Sequence, residues 1–141
     1  MTRETRSSTD APSPRRVKVL CVCGTRPDTI KMAPVIQELR RQSGWCDVRV
    51  CLTGQHRELV RPLVEFFQLA PDHDLDVMRE SQSLTALTSR LFTALDSVFL
   101  VEQPDWLLVQ GDTTSTFVAA TTAFYHGVRI GHVEAGLRTT T

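Results

Sequence analysis

Two acidic residues stand just after short apolar runs, where a side chain can project from the end of a strand. Asp112 comes shortly after the run at residues 106–109, and Glu134 directly follows the run at 129–133. If these runs are neighbouring parallel strands, both carboxylates face one crevice, where such pairs shift one another's pKa and divide acid and base roles. Asp112 has the alternative role of capping the helix that should begin just after it. Glu134 has no comparable structural role.

Polar loops follow four of the predicted strands, and each of them contains glycine. They cover residues 24–28, 53–56, 111–114 and 134–138. Glycine lets the backbone approach a ligand, and the helix starts that follow offer amides to an anion, for which phosphate is the natural candidate. Arg26 either binds that anion or forms a surface ion pair with Asp28, and its place at a predicted strand end favours the first role.

The elements that must position these loops alternate along the chain between short apolar runs and longer segments of helical spacing. Strands are predicted at residues 17–23, 47–52, 106–110 and 129–133, with a weaker one at 75–77. The clearest helix covers residues 83–102, with Ser83 as its N-cap. In the two earlier helices Pro34 should confine or kink the first, and Pro62 raises the same difficulty in the second, at residues 57–68.

This alternation predicts a doubly wound parallel α/β sheet of the Rossmann-like kind, covered by helices on both faces. With the common half-order 3-2-1-4-5, the strands ending near Cys23, Gln110 and Val133 are neighbours, and ligands bind where the chain reverses direction. Neither a GxGxxG fingerprint nor a Walker A loop occurs, which disfavours nicotinamide dinucleotides and P-loop chemistry.

No metal or other cofactor is expected from the histidines, cysteines and acidic residues. No two histidines have metal-ligand spacing: His56 and His132 fall at loop or strand ends, and His73 and His126 are expected at the surface. The acidic segment at residues 72–76 is typical of a solvated loop. The four cysteines lack CxxC spacing, and the two in strand 17–23 share one face, so we expect core side chains rather than ligands.

Length and charge limit the remaining possibilities. The chain has 141 residues, enough for one domain, with 16 Lys and Arg against 16 Asp and Glu. That balance argues against nucleic acid or an anionic membrane as the main partner. Residues 1–16, rich in Ser, Thr, Pro and Arg, are expected to be a disordered tail without the apolar segment of a signal peptide, and a reducing cytoplasm is the simplest compartment.

Several motifs in a fixed order resemble one known family. They are GTRPDTIKMAPV at residues 24–35, TGQHRE at 53–58, GDTTST at 111–116, AFY at 123–125 and GHVEAGLRT at 131–139. Together they resemble the N-terminal domain of the bacterial non-hydrolysing UDP-N-acetylglucosamine 2-epimerases, over nearly all of residues 17–139. The resemblance implies the first half of a two-domain fold like that of glycosyltransferases of the B fold, with residues 17–141 as one domain and the second domain absent.

The resemblance also implies an activity and roles for residues. The family interconverts UDP-N-acetylglucosamine and UDP-N-acetylmannosamine by eliminating UDP and adding it back, a step in making cell-envelope polysaccharides. Its catalytic acidic positions match Asp112 and Glu134, and its basic active-site positions match Arg26 and Lys31. The loop that helps bind a second substrate molecule as activator matches Gln55 and His56, and we also expect substrate contacts from two further residues, Thr113 and Arg138.

The chain departs from the family pattern at Asp28, where Glu is usual, at Gln110, where His is common, and after residue 139, where the family continues to another catalytic Glu and the second domain. The partners considered are UDP-N-acetylglucosamine, a second copy of the chain and a separate second half. The alternatives to an epimerase are a catalytically inactive nucleotide-sugar binding module and an unrelated flavodoxin-like domain. The ordered motifs disfavour the last.

Overall fold

The computed structural model describes residues 12–134. Strands and helices alternate through this part of the chain, as the sequence predicts. They are β1 (Val17–Cys23), α1 (Arg26–Arg41), β2 (Cys46–Leu52), α2 (Arg57–Phe66), β3 (His73–Asp74), α3 (Leu84–Glu102), β4 (Trp106–Gln110), α4 (Thr114–Tyr125) and β5 (Arg129–Val133).

The strands form one parallel sheet in the order β3-β2-β1-β4-β5, which confirms the predicted half-order. β1 pairs with β2 from Val17↔Cys46 to Cys23↔Leu52, and its other side pairs with β4. Because the chain winds outward in opposite directions from β1, the loops after β1 and β4 lie side by side at the carboxyl edge of the sheet. This is the edge at which open α/β sheets bind ligands.

The sheet is buried on both faces, as a doubly wound fold requires. One face packs under α1 and α2, with Met32 and Ile36 among its fully buried side chains. The other packs under α3 and α4, with Leu91 and Phe99 as the corresponding large side chains. β1 serves both faces because its side chains alternate between them.

All four cysteines are buried and free, which confirms that they are core residues. Burial raises the pKa of Cys21 to about 12. It does the same for Cys51, whose pKa is also about 12. The thiols therefore stay protonated at neutral pH and pack as small apolar groups.

The expectation that Pro34 confines the regular part of the first helix is wrong, because α1 runs unbroken through Pro34 from Arg26 to Arg41. Pro34 and Ile30, whose carbonyl loses its helical partner, both lie on the exposed face, where water can satisfy that carbonyl. Pro62 is likewise exposed within α2. The helix ends at Phe66, two residues before the predicted end, and Gln68 takes a positive φ of 52°.

The weak strand was predicted at 75–77, but the ladder with β2 covers only His73 and Asp74. The amides of Leu75 and Val77 still donate to the carbonyls of β2 and its following loop. Asp76 has a positive φ of 46°, which breaks the extended conformation between them. The prediction is therefore wrong in position, because a local turn interrupts the apolar stretch.

The N-cap of α3 is confirmed, since the Ser83 hydroxyl accepts the amide of Ala86 at 3.1 Å. By length and composition alone α3 could cross a membrane. Its apolar stripe, with Leu87, Leu91 and Leu95, instead packs on the sheet as the core helix of a globular domain.

The segment before β1 is described only for residues 12–16, which form neither helix nor strand. Arg15 pairs with Asp105 at 2.8 Å. The tail proposed for residues 1–16 remains a prediction, because residues 1–11 lie outside the described part.

Candidate active site

The loop after β1 is organised by a buried carboxylate. Asp28, 2% exposed, accepts the amides of Thr25 at 2.9 Å and Gly24 at 3.1 Å, and so closes the first turn of α1. Burial raises the pKa of Asp28, while the hydrogen bonds from the Thr25 and Gly24 amides oppose the shift. Arg26 is exposed on the same turn. The alternative of a surface pair between Arg26 and Asp28 is therefore wrong.

Lys31 extends from α1 toward the end of β4. With the Gln110 amide oxygen turned toward it, Lys31 Nζ donates to that oxygen at 3.3 Å. Gln110 is 3% exposed, whereas Lys31 is exposed, so the ammonium group lies at the surface of the carboxyl edge rather than inside the core. Arg26 and Lys31 thus place two positive charges on the first two turns of one helix.

The Gln55 loop is joined to the loops after β1 and β4 by a chain of hydroxyl groups. Thr53 Oγ1 lies 2.9 Å from Ser115 Oγ, and Ser115 donates to Gln55 Oε1 at 2.7 Å. The His56 amide donates to the Gly24 carbonyl at 3.1 Å, while the His56 side chain is exposed. These bonds bring together the loop predicted to bind the activator and the start of α4.

Thr113, not Asp112, caps α4. The Thr113 hydroxyl accepts the amide of Thr116 at 3.2 Å, at extended backbone angles of φ −72° and ψ 164°. Its hydroxyl is thereby committed to the helix. The Asp112 side chain is exposed and makes no hydrogen bond with residues 12–134. The capping alternative for Asp112 is wrong, because its neighbour fills that position.

Glu134 lies at the end of β5, beside the turn that carries Asp112. β4 and β5 pair in register up to Gln110↔Val133, so Glu134 emerges next to the Gly111 turn. Its carboxylate is partly exposed and lies 4.0 Å from His132 Nε2. The two predicted carboxylates therefore project from neighbouring strand ends at one edge.

Arg138, the remaining predicted site residue, lies outside the described residues. Thr53, Ser115 and His132 were missed as site residues. All three belong to quoted motifs, which are TGQHRE, GDTTST and GHVEAGLRT, and that membership was the available signal. Among residues 12–134 no cluster of three His, Cys, Asp or Glu side chains could hold a metal ion.

Two histidines expected at the surface are held between elements. His73 Nε2 lies 2.7 Å from Glu102 Oε1, and His126 Nε2 lies 2.6 Å from Asp96 Oδ1. Their side chains are 22% and 23% exposed, so both lie at the surface but are half-buried by these contacts. The acidic residues at 72, 74 and 76 are exposed, as predicted for a solvated loop.

The assembled edge carries two carboxylates that can move protons and two cations that can stabilise a leaving anion. All four groups, on Arg26, Lys31, Asp112 and Glu134, are solvent-accessible. Arg26 and Lys31 lie on the first two turns of α1, and Asp112 and Glu134 follow β4 and β5. Such an arrangement suits acid and base chemistry on an anionic ligand.

Comparison with known proteins identifies the family to which these loops correspond. The family model described as UDP-N-acetylglucosamine 2-epimerase matches residues 37–141. The chain is 48% identical over 123 residues to UDP-N-acetylglucosamine 2-epimerase of Yersinia pestis, covering 87% of this chain and 32% of that protein. It is 46% identical over 125 residues to the Bacillus subtilis enzyme of the same name, covering 89% of this chain and 33% of that protein.

The fold agrees with a solved structure of the same name. The crystal structure of UDP-GlcNAc 2-epimerase from Neisseria meningitidis bound to UDP-GlcNAc superposes with a TM-score of 0.81 at 46% identity. The match covers 87% of this chain and 33% of that one. The chain thus spans about a third of the length of the curated relatives it matches.

Proposed function

The chain belongs to the UDP-N-acetylglucosamine 2-epimerase family, and on that premise we propose that it supplies the acid and base half of a non-hydrolysing epimerase site. The observation that carries the proposal is the position of Asp112 and Glu134 at neighbouring strand ends, beside the cations of α1. The substrate is UDP-N-acetylglucosamine and the product UDP-N-acetylmannosamine. The reaction inverts carbon 2 of the sugar.

The chemistry explains why both carboxylates and cations are needed. No ketone lies next to carbon 2, so its proton is not acidic enough for simple removal and return. A base instead takes that proton as the bond from carbon 1 to UDP breaks, which gives a 2-acetamidoglucal and free UDP. An acid then delivers a proton to the opposite face of carbon 2, and UDP re-forms its bond to carbon 1.

Asp112 and Glu134 fit the proton-transfer steps. Thr113 performs the capping of α4, so Asp112 is left to face the ligand. Glu134 projects from the adjacent strand end, so the two carboxylates occupy different positions. Two carboxylates at different positions can act on opposite faces of the sugar ring.

Arg26 and Lys31 fit the stabilisation of departing UDP. Both lie at the positive end of α1, where the helix start favours an anion as well. Gln55 contributes to substrate or activator binding with an amide whose oxygen is already fixed by Ser115. His56 and Arg138 complete the proposed binding set, whereas Thr113 contributes through the turn that it holds, because its hydroxyl caps α4. The proposed reaction requires no cofactor.

We further propose a cytoplasmic location, a role in making cell-envelope polysaccharide precursors, and partners of two kinds. These are a second copy of the chain and a second half equivalent to the remaining two thirds of the relatives. That second half would close the open side of the edge and exclude water from the reacting sugar. Residues 17–141 then act as one Rossmann-like domain of a two-domain site.

A coupled assay with UDP-N-acetylglucosamine tests the proposal. We expect the 141-residue chain alone to turn over little substrate, because much of the site's enclosure is contributed by the second half. Joining it to the remaining two thirds of the Bacillus subtilis relative should restore turnover, as should adding that part as a separate chain. Full turnover by the chain alone would show that the argument for an open, incomplete site is wrong. An inactive hybrid that still binds the substrate would favour the binding-module alternative.

In the active hybrid, Asp112→Asn and Glu134→Gln should each lower kcat about 100-fold or more with KM largely kept, because each change keeps the shape and removes the basicity. Arg26→Ala should also weaken binding. Glu65→Gln is the matched control, since Glu65 is an exposed carboxylate on α2. Near-normal kcat in both carboxylate variants would overturn the proton-transfer roles.

A further inference from the structure

We infer that His132 is a positioning residue that fixes the turn carrying Asp112. Its Nε2 lies 2.7 Å from the carbonyl oxygen of Gly111, across from the end of β4. A carbonyl oxygen only accepts hydrogen bonds, so Nε2 must carry the proton and donate. This holds for the neutral and the cationic ring alike.

The turn at Gly111 is where strand pairing stops. β4 and β5 pair in register only up to Gln110↔Val133. Gly111 then takes a φ of +79°, and the chain turns into α4. The His132 side chain therefore continues the link between the two strand ends by one further hydrogen bond, at the point where the backbone ladder no longer does so.

The position of Asp112 depends on that turn. Its carboxylate makes no hydrogen bond with residues 12–134, so the backbone of the turn sets where it points. On the α4 side the turn is held by the Thr113 cap and by the bond from Thr116 Oγ1 to the Gln110 carbonyl at 2.8 Å. On the β5 side the His132 bond holds it.

The same imidazole lies beside the second carboxylate. Glu134 Oε2 is 4.0 Å from His132 Nε2. Because Nε2 already carries a proton and directs it to the Gly111 carbonyl, this nitrogen cannot take a proton from Glu134. His132 thus relates Asp112 and Glu134 in space without sharing their proton transfers. The positioning role of His132 in the reaction rests on the proposed function, whereas its hydrogen bond to the Gly111 carbonyl does not.

NMR of the 141-residue chain labelled at histidine tests the hydrogen bond without any substrate. We expect His132 to be protonated at Nε2 at neutral pH. His132→Ala should speed exchange about tenfold at the Thr116 amide, which bonds to the Thr113 hydroxyl at the same turn, because one hydrogen bond that holds the turn is lost. His132→Gln, whose amide can donate to the same carbonyl, should keep exchange within about twofold of wild type. An Nδ1-protonated tautomer, or unchanged exchange in His132→Ala, would overturn the inference.

His126→Gln is the matched control, because His126 bonds to Asp96 and not to this turn, and it should leave exchange at the Thr116 amide unchanged. Kinetics of the two-domain hybrid then separate positioning from catalysis. His132→Ala should lower kcat about tenfold with KM little changed, and His132→Gln should restore most of it. Equal losses in the two variants would mean that the ring itself moves a proton, which contradicts the positioning role. An inactive parent hybrid would refute the proposed function, while the NMR result would still decide the hydrogen bond.

Discussion

Gly24 occupies a space that admits no side chain, and its replacement by alanine should destabilise the protein. An added Cβ would lie 2.3 Å from Ser115 Oγ, 2.6 Å from Thr53 Oγ1 and 2.7 Å from Ser115 Cβ. The hydroxyl of Ser115 could rotate away, but its Cβ moves only with the backbone of α4. Ordinary contact begins at 3.4 Å, so the start of α4 must shift by roughly 0.7 Å.

The cost of Gly24→Ala follows from these contacts. Overpacking a filled site costs about 1–3 kcal/mol. Rotating Ser115 also breaks its bonds to Thr53 and Gln55, each worth about 1 kcal/mol in a buried site. The reduced entropy of the unfolded chain offsets about 0.4–1 kcal/mol. We expect a net loss of about 3 kcal/mol, or a Tm lowered by about 10 °C for a domain of this size.

Thermal and urea unfolding followed by circular dichroism measure this loss. Gly44→Ala is the matched control, because nothing lies within 4 Å of a Cβ at Gly44. Adding Ser115→Ala to Gly24→Ala removes the 2.3 Å contact but not the 2.7 Å one, so it should recover only part of the stability. Unfolding of Gly24→Ala at the same temperature as Gly44→Ala would refute the reasoning.

Two further predictions concern buried ionisable groups. Burial raises the pKa of Asp28, so its ionised form is disfavoured in the folded state. The free energy of unfolding of wild type, relative to that of Asp28→Asn, should therefore fall as the pH rises from 3.8 through the raised pKa, and then level off. Urea unfolding of both proteins across that range measures this, and a constant difference would contradict it. Cys21 and Cys51, with pKa values of about 12, should react with a thiol reagent at pH 8 only after unfolding, and rapid labelling of the native chain would contradict their burial.

The sheet order could be predicted because apolar runs and helical segments alternate at spacings that leave few topologies. The misplaced features have local physical causes. Pro34 is tolerated in α1 because its exposed face lets water replace the lost hydrogen bond. The weak strand shifted to His73 because Asp76 adopts a positive φ, which no hydrophobic pattern encodes.

The site could be predicted in its residue types but not in its connections. Asp112 and Glu134 stand at strand ends, and their position follows from the fold alone. The Thr53 and Ser115 bond joins residues 62 positions apart, and each is a small polar residue of the kind found in any loop. The His132 bond to Gly111 depends on the register of β4 and β5, which was known only once the strands were paired.

The two loops that carry the proposed residues Arg26 and Asp112 share one arrangement, in which a neighbouring residue makes the structural hydrogen bonds and the proposed residue is exposed. In the first, Asp28 accepts the amides that open α1, so Arg26 is not needed for pairing. In the second, Thr113 caps α4, so Asp112 is not needed as the cap. Asp and Thr cap helices almost equally well, which is why spacing alone left the role of Asp112 open. The extended backbone of Thr113 decides it, because only the residue at the N-cap combines that conformation with a bond to the amide three residues on.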